Sequence, residues 1–481
     1  MRSLSLLVLL SLALNCVAQQ SDRQQFIRVE APIVILRHVR VIDGTGYAPR
    51  ERQTITISEG KIKSIQASDD EILPQNAKVL DLDGYTVLPG LVGMHDHMFF
   101  PMGGNPPMYS NMGFSFPRLY LALGVTTIRT TGSVQPYLDL EIKKLIDGGR
   151  MIGPKMHITA PYLEGEGSFT PVMHTLTGAD DARQMVNYWA DQGATSFKAY
   201  MNITRAELRA VVEEAHKRGL KVTGHLCSVT YREAAEIGID NLEHGLLPDS
   251  DFVPDKQPDK CPGAAVGQSL RGLDVKGDAV KETIRILVAK NVAVTSTLPV
   301  FEASAPLAAG QAGPTAIGAA SAVMNQKMLN VMNNEARVRY LTARGRVLGT
   351  NPQAEYIRKS MDFERAFVAA GGLLLAGLDP TGNGGVVAGF GDLREVELLV
   401  EAGFTPLEAI KIATFNGAKF LGEDSRIGSI AVGKQADLMI VKGNPAAKIT
   451  DIENVEMVFK DGVGYDSEKL IQSVQGLVGI R

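Results

Sequence analysis

Short runs of alternating apolar and polar residues fill two separate regions of the chain, residues 30–88 and 424–466. Turn pairs such as Asp43-Gly44 and Asp83-Gly84 separate the runs. Alternation with period two, interrupted by turns of this kind, predicts β-strands that bury one face. Neither region holds enough strands to form a stable packed structure by itself. We therefore predict that both regions meet in one small, composite β-sandwich domain.

Between these regions the pattern changes to short apolar runs that alternate with longer stretches of helical periodicity. Besides the strand that carries His95, the predicted strands are Val125–Arg129, Lys155–Thr159, Thr195–Tyr200, Lys221–His225, Asp240–His244, Val292–Thr297 and Leu373–Leu378. The predicted helices are Asp180–Gln192, Thr204–Arg218, Tyr231–Ile237, Ala279–Lys290, Ala354–Ala370 and Leu393–Ala402. Strands that alternate with helices in this way predict an α/β fold, a (β/α)8 TIM barrel over residues 89–423. In that fold the functional site lies at the carboxyl ends of the strands.

The two ends of the chain differ from the rest. Met1-Arg2, the largely apolar run Leu4–Leu14 and the small residues up to Ala18 predict a signal peptide over residues 1–18 and export to the periplasm or the cell exterior. A lipoprotein signal at Cys16 is the alternative, although Leu14-Asn15 matches such signals poorly. Residues 467–481 are predicted to form a C-terminal tail.

Composition limits the classes of partner. Hydrophobic residues make up 45% and charged residues 21% of the 481 residues, a mix typical of globular proteins. The net charge of −4 comes from interspersed signs, so we expect no nucleic-acid partner. No stretch after the leader is long and uncharged enough for stable membrane insertion. Beyond the leader only Cys227 and Cys261 remain, and the residues leave both a disulfide and two free thiols open.

Six residues of metal-ligand type fall at the ends of predicted strands. His95 and His97 lie two apart on one strand, so both side chains point to the same face and Asp96 points away. An isolated pair of this kind is more often structural, but the later strands add four further groups: Lys198, His225, His244 and Asp379. A lysine in an apolar strand is costly unless it is paired, neutral or modified. Such a set suits divalent ions with mixed nitrogen and oxygen ligands.

These motifs resemble the amidohydrolase superfamily, specifically its binuclear branch near the imidazolonepropionase-like and Xaa-Pro dipeptidase-like groups. The segments that carry the resemblance are Val41–Gly46, Leu88–His97 and Gly428–Leu438, in this order along nearly the whole chain. The resemblance implies two divalent ions, expected to be Zn2+: His95, His97 and Asp379 would hold one, His225 and His244 the other. Carbamylated Lys198 (N6-carboxylysine) would bridge them. One departure is Asp96, where relatives often carry a small or apolar residue, and we expect it to cap or pair in the helix layer.

By the same resemblance the protein is expected to cleave an amide or peptide bond with a metal-bound hydroxide, with Asp379 as the catalytic proton carrier. Dipeptides or N-acyl amino acids are the expected substrates. Tyr231, Tyr200 and His157 are candidate substrate contacts, and a disulfide between Cys227 and Cys261 would tie two rim loops together. The apolar loop after His97 either lines a substrate pocket or packs over the barrel mouth.

Two other interpretations stay open. A mononuclear deaminase or imidazolonepropionase-like hydrolase would use the same barrel, although such relatives lack the lysine. A barrel that has lost its chemistry would act only as a binding protein, although such relatives usually lack several ligands. A small-molecule or dipeptide substrate is the expected partner, and the resemblance leaves a homo-oligomer open.

Overall fold

The structure is a computed structural model that describes residues 23–67, 74–104, 107–168, 173–304, 322–345, 353–381 and 384–479. The predicted signal peptide at residues 1–18 lies outside these ranges, as do residues 480 and 481 of the predicted tail. Every helix in the described ranges is too short or too polar to cross a membrane.

The strands are numbered in chain order. They are β1 Ile27–Val29, β2 Ile33–Val41, β3 Arg50–Ser58, β4 Lys61–Gln66, β5 Ala77–Asp81, β6 Tyr85–Pro89, β7 Leu91–Asp96, β8 Phe99–Gly103, β9 Met108–Asn111, β10 Val125–Thr130, β11 Lys155–Ile158, β12 Leu163–Glu164, β13 His174–Thr175, β14 Ser196–Ala199, β15 Lys221–Gly224, β16 Asn241–Glu243, β17 Ala293–Ser296, β18 Leu374–Ala376, β19 Leu438–Lys442, β20 Val455–Lys460 and β21 Val463–Asp466.

The α-helices alternate with the strands through the middle of the chain. They span Ser115–Ala122, Pro136–Asp147, Ala179–Gln192, Arg205–Lys217, Tyr231–Ile237, Ala264–Arg271, Asp278–Ala289, Leu298–Glu302, Ala322–Val331, Asn334–Gly345, Gln353–Ala369, Phe390–Glu401, Pro406–Lys411, Gly417–Leu421 and Ser467–Gln472. A π-helical turn spans Ile412–Asn416 and a 3-10 helix spans Ile449–Glu453. Each predicted strand and helix of the central region has a counterpart whose ends lie within three residues of the prediction.

Strands from both terminal regions hydrogen-bond into one nine-stranded sheet. Its order is β1-β21-β20-β19-β6-β2-β3-β4, with β5 on the edge of β2. The antiparallel pairing of β19 with β6 joins the two regions and sets Leu438 opposite Pro89. The apolar side chains of this sheet, among them Val34, Ile55 and Phe459, form a core of their own. The prediction that the termini meet is confirmed, while their arrangement as a two-layer sandwich stays a prediction.

The central strands run parallel in two groups. One group has the order β11-β10-β7, and in the other β14, β15, β16, β17 and β18 follow one another. A bridge between Thr159 and Ser196 joins β11 to β14, and the amide of Asp379 donates to the carbonyl of His95 across the gap between β18 and β7. The α/β fold is as predicted, and closure of the eight strands into a barrel stays a prediction.

The predicted C-terminal tail is a packed part of the fold. Helix Ser467–Gln472 buries Leu470 and Ile471, and the hydroxyl of Ser467 donates to the carbonyl of Ala122 over 2.5 Å. Leu470 and Ile471 lie three and four residues after Ser467, so the three side chains form one buried face of this short helix. The helix therefore fastens the end of the terminal sheet to the central region.

Lys155 joins the central strands to the terminal sheet. Its Nζ lies 2.5 Å from Asp437 Oδ2 and 2.7 Å from Asp461 Oδ1, and the Asp437 side chain is 2% exposed. Removing one partner of a buried pair leaves a charge without compensation, which costs more than the pair gains. Lys155 therefore positions β11 against the segment that leads into β19.

We predict that Lys155→Met lowers the free energy of unfolding by about 3 kcal/mol, because Asp437 is then buried without its cation. Denaturant titration followed by circular dichroism measures the loss. The double variant Lys155→Met with Asp437→Leu should recover most of it. Lys144→Met, which removes a lysine that is 65% exposed, should stay within about 0.5 kcal/mol of wild type. A loss of similar size in both single variants would contradict the assignment.

Candidate metal centre and active site

Six side chains at the carboxyl ends of five parallel strands face one cavity of about 440 Å3. We call them the donor set: His95, His97, Lys198, His225, His244 and Asp379. His95 and His97 belong to the end of β7, and Asp96 between them points to the opposite side, as alternation along a strand requires. The other four lie on or just after β14, β15, β16 and β18. The sequence-predicted ligands are therefore all brought together.

Asp379 lies at the middle of the donor set. Its Oδ1 is 3.5 Å from Nε2 of His97, and its Oδ2 is 3.9 Å from both Nε2 of His95 and Nδ1 of His244. The ring of His225 continues the cluster, with its centroid 4.5 Å from that of His244. One donor atom each from His95, His244 and Asp379 lie within 4.8 Å of one another. Separations of this size allow one ion to contact several of these groups.

Lys198 completes the donor set from β14. Its Nζ lies 3.2 Å from Nε2 of His95 and faces the rings of Tyr162 and Tyr200 at 5.3 and 5.8 Å. Burial lowers the pKa of Lys198 to about 8, against the attraction of Glu243 and Asp379. A lowered pKa increases the fraction of neutral amine near neutral pH, and neutral amine is the form that reacts with carbon dioxide.

The imidazoles of the donor set are neutral near pH 7. Burial lowers the pKa of His97 to about 4 and that of His225 to about 3, and it also lowers the pKa values of His95 and His244. For Asp379 burial raises the pKa, but attraction to His95 and the hydrogen bond with His97 outweigh it and hold the pKa well below its usual range. Neutral imidazoles beside an ionised carboxylate are the protonation states that bind a divalent cation. The donor set therefore fits such ions.

The backbone at two of these positions is strained. His244 and Asp379 have φ values of +72° and +51°, in the left-handed region that residues other than glycine seldom adopt. Gly377 lets β18 come close to β7, because a Cβ there would lie 2.4 Å from the Cβ of His95. A strained backbone conformation persists where the surrounding structure maintains it, and such conformations are common at functional sites. Both turns direct their side chains into the cavity.

A set of partners that sequence reasoning missed orients the imidazoles. Nδ1 of His95 lies 2.8 Å from Glu243 Oε2, and the other oxygen of Glu243 accepts from Arg129 at 2.8 Å. Nδ1 of His97 lies 3.1 Å from the carbonyl of Gly132, and Nδ1 of His244 lies 2.8 Å from Oγ1 of Thr297. Partners of this kind fix the tautomer and the ring orientation of a metal-binding histidine. Arg129, a cation at the end of the predicted strand Val125–Arg129, was the available signal in the sequence.

Two of the three candidate substrate residues lie away from the cavity. The hydroxyl of Tyr231 donates to the carbonyls of Glu243 and Gly245 at 3.0 and 2.9 Å, which places it in the packing between the first turn of its helix and β16. His157 on β11 instead pairs with Glu423, with its Nε2 3.3 Å from Oε1. The expectation that these two side chains face the substrate is corrected accordingly. Tyr200 does line the cavity.

The loop after His97 divides its side chains between two environments. Phe99, Pro101 and Tyr109 line the cavity, whereas Met98 and Phe100 are fully buried in the main core. Because β8 and β9 form an antiparallel pair, successive residues alternate between the two sides. Alternate residues of this apolar loop therefore match the two interpretations: one set lines the cavity, and the other set packs in the core. Tyr162, which sequence reasoning missed, places its hydroxyl 3.5 Å from Nε2 of His97.

Two further expectations concern side chains outside the donor set. Cys227 and Cys261 form a disulfide that links the segments following β15 and β16. Asp96 faces Asp392 in helix Phe390–Glu401, and burial together with this like charge raises the pKa of Asp96 well above its usual range. Among the described residues neither carboxylate oxygen of Asp96 has a hydrogen-bond partner, so the cap or ion pair that we expected in the helix layer is not formed there.

The fold and the cavity are those of an enzyme that carries its site at the carboxyl ends of parallel strands. The model of the amidohydrolase family matches residues 86–463. The chain therefore belongs to the amidohydrolase family, whose members are metal-dependent, and it is a hydrolase of carbon–nitrogen bonds.

Individual relatives are more distant. An imidazolonepropionase of Parabacteroides distasonis is 43% identical over 65 residues, which span 13% of this chain and 15% of that protein. A putative prolidase from Bifidobacterium longum superimposes with a TM-score of 0.64 at 23% identity, over 92% of this chain and 99% of that one. A Xaa-Pro dipeptidase with bound methionine gives a TM-score of 0.65 at 20% identity, over 90% and 100%. These two structures share the fold.

We predict that Glu243→Gln weakens Zn2+ binding about 10- to 100-fold, because the amide no longer fixes the tautomer of His95 and leaves Arg129 without its anion. Titration of chelator-treated protein with Zn2+ measures the change. Glu164→Gln is the matched control, since Glu164 is equally buried but accepts from the amides of Gly165 and Asn202. Unchanged affinity in Glu243→Gln would remove Glu243 from the centre.

Proposed function

We propose that the protein is an exported, metal-dependent amidohydrolase that cleaves an amide or peptide bond of a small substrate. Dipeptides and N-acyl amino acids are the first classes to test, because Xaa-Pro dipeptidase and prolidase structures share the fold. The single observation that carries the proposal is the convergence of the donor set in one cavity large enough for a substrate of this size. This cavity lies at the mouth of a proposed closed (β/α)8 barrel, residues 89–423, beside a composite domain of residues 30–88 and 424–466.

The donor set would hold two divalent ions, with Zn2+ the expected metal. His95, His97 and Asp379 would hold one, His225 and His244 the other, and the carbamate of Lys198 would bridge them. When bound, the ions supply Lewis acidity, which lowers the pKa of a water and polarises the substrate carbonyl. Asp379 Oδ takes the proton that the attacking water loses. As the carbon–nitrogen bond breaks, the same carboxyl group returns that proton to the departing amine.

The side chains around the donor set serve the same reaction. Glu243 and Thr297 hold the rings of His95 and His244 so that one nitrogen of each faces the cavity. Tyr162 and Tyr200 cover Lys198 and limit the access of water to its amine. The lowered pKa of Lys198 favours carbamate formation, since the amine must be neutral to react.

The proposal includes export of the protein, and a disulfide in the central region supports this part of it. The disulfide between Cys227 and Cys261 suits an oxidising compartment, where such bonds persist. The predicted signal peptide at residues 1–18 would deliver the chain there.

Metal analysis tests the proposal and separates it from its alternatives. Wild type should bind two Zn2+ per chain, and chelation should abolish hydrolysis. Lys198→Ala should bind fewer ions, because the bridging group is lost, and short carboxylates such as acetate should restore part of the activity. One ion per chain in wild type would favour a mononuclear, imidazolonepropionase-like or deaminase-like hydrolase. Full binding without hydrolysis of any amide would favour a binding barrel.

Asp379→Asn should keep most of its metal but lose turnover by about 10²- to 10⁴-fold, since the amide cannot carry the proton. Steady-state kinetics and metal analysis on the same preparation give both quantities. Asp249→Asn is a suitable control, because Asp249 is as deeply buried but does not line the cavity. Wild-type turnover in Asp379→Asn would remove Asp379 from the mechanism.

A further inference from the structure

Aromatic rings wall the cavity above the donor set. We call them the aromatic wall: Phe99, Tyr109, Tyr162, Tyr200 and Phe301. They meet in pairs, with ring centroids 5.1 Å apart for Phe99 and Tyr109 and 5.0 Å apart for Tyr162 and Tyr200. Phe301 stands edge-on to His244, with ring centroids 5.8 Å apart. A wall of this kind gives a large apolar contact area and favours another aromatic ring in edge-on or offset geometry.

Charge is scarce along the same cavity. Among the described residues that line it, the amine and carboxylate groups are those of Lys198 and Asp379, both in the donor set. An ionised group that is buried without a partner loses its hydration without compensation.

Arg339 is a cation that lies outside the donor set and contacts two residues of the cavity lining, Pro101 and Gly103. Its guanidinium donates to the carbonyl of Pro101, and a Cβ added at Gly103 would lie 3.1 Å from its Nη1. Arg339 is not among the residues that line the cavity. Its Nη1 is buried and has no hydrogen-bond partner among the described residues, so Arg339 is the group that would meet a substrate carboxylate if one entered beside Gly103.

We propose that the substrate group seated on the aromatic wall is bulky, aromatic or strongly apolar, and uncharged. This inference rests on the proposed function but changes the order of its candidate substrates. Neutral aromatic amides bind well, whereas N-acyl amino acids, which carry a carboxylate, and free dipeptides, which carry an ammonium and a carboxylate, bind poorly. Water adds to the amide carbonyl, the carbon–nitrogen bond breaks, and the products are an acid and an amine. Tyr109 and Phe301 act as specificity-determining residues.

Three probes of matched shape test the inference. N-(2-phenylethyl)benzamide is neutral, N-benzoyl-L-phenylalanine adds one carboxylate to the same skeleton, and L-phenylalanyl-L-phenylalanine carries both charges. Calorimetric binding to the full-length protein, before and after chelation, is measured together with hydrolysis of each probe. We expect the neutral probe to bind at least about tenfold more tightly than either charged probe in the chelated protein. We expect the same order in kcat/KM for the metal-loaded enzyme.

Substitutions in the aromatic wall show which side chains contribute to binding of the neutral probe. Tyr109→Ala and Phe301→Ala should each weaken binding of the neutral probe up to about tenfold. Tyr47→Ala, at an aromatic residue that is 75% exposed, should leave it unchanged. Circular dichroism establishes that the variants are folded.

The outcomes separate the inference from the proposed function. Equal or tighter binding of a charged probe, or no binding of the neutral probe at millimolar concentration, would overturn the inference. Preferential binding of the neutral probe without hydrolysis of any probe by the metal-loaded enzyme would support the inference and overturn the proposed function. Preferential hydrolysis of the dipeptide would support the proposed function and overturn the inference.

Discussion

Arg129 and Glu243 form an ion pair between the central strands, with both side chains at most 2% exposed. Two nitrogens of Arg129 also donate to the carbonyl of Met94, the residue that precedes His95. Glu243 in turn contacts His95 and directly precedes His244 along the chain. Arg129 thus fixes the backbone of β7 directly. Through Glu243 it also fixes the orientation of the His95 ring. A buried charge that loses its partner is strongly destabilising, so the loss of either Arg129 or Glu243 would leave the other residue in an unfavourable state.

The burial of this pair explains the charge state of the cavity. For Glu243 burial raises the pKa, but Arg129 and His95 outweigh it and keep the carboxylate ionised. Arg129 thus supplies a permanent positive charge beside Glu243, while burial lowers the pKa of His95 and keeps its imidazole neutral near pH 7. In the same low-dielectric region a cation that enters the donor set meets Asp379 with little competition from water. The proposed affinity of the donor set for divalent ions would follow from this division of charge.

Much of the central region could be predicted from sequence because its strands and helices follow simple periodicity. The ligand types at strand ends were visible for the same reason, as with His225 directly after β15. Helix Ser115–Ala122 was missed because every one of its residues is buried, which leaves no polar face to mark it. Tyr231 and His157 were placed wrongly because sequence does not give the direction of a side chain beyond its own strand or turn. Contacts such as that of Glu243 with His95 join residues 148 positions apart, and only the fold brings them together.

The strained turns at His244 and Asp379 show how the strands hold the centre in place. The amide of Asp379 donates to the carbonyl of His95, and the amide of Gly245 donates to the carbonyl of Thr295. Each hydrogen bond fixes a left-handed residue against a neighbouring strand, which offsets a conformational cost of about 1 to 3 kcal/mol. Because these anchors are backbone groups of different strands, the donor atoms cannot move independently of the sheet. The geometry of the donor set is therefore a property of strand packing.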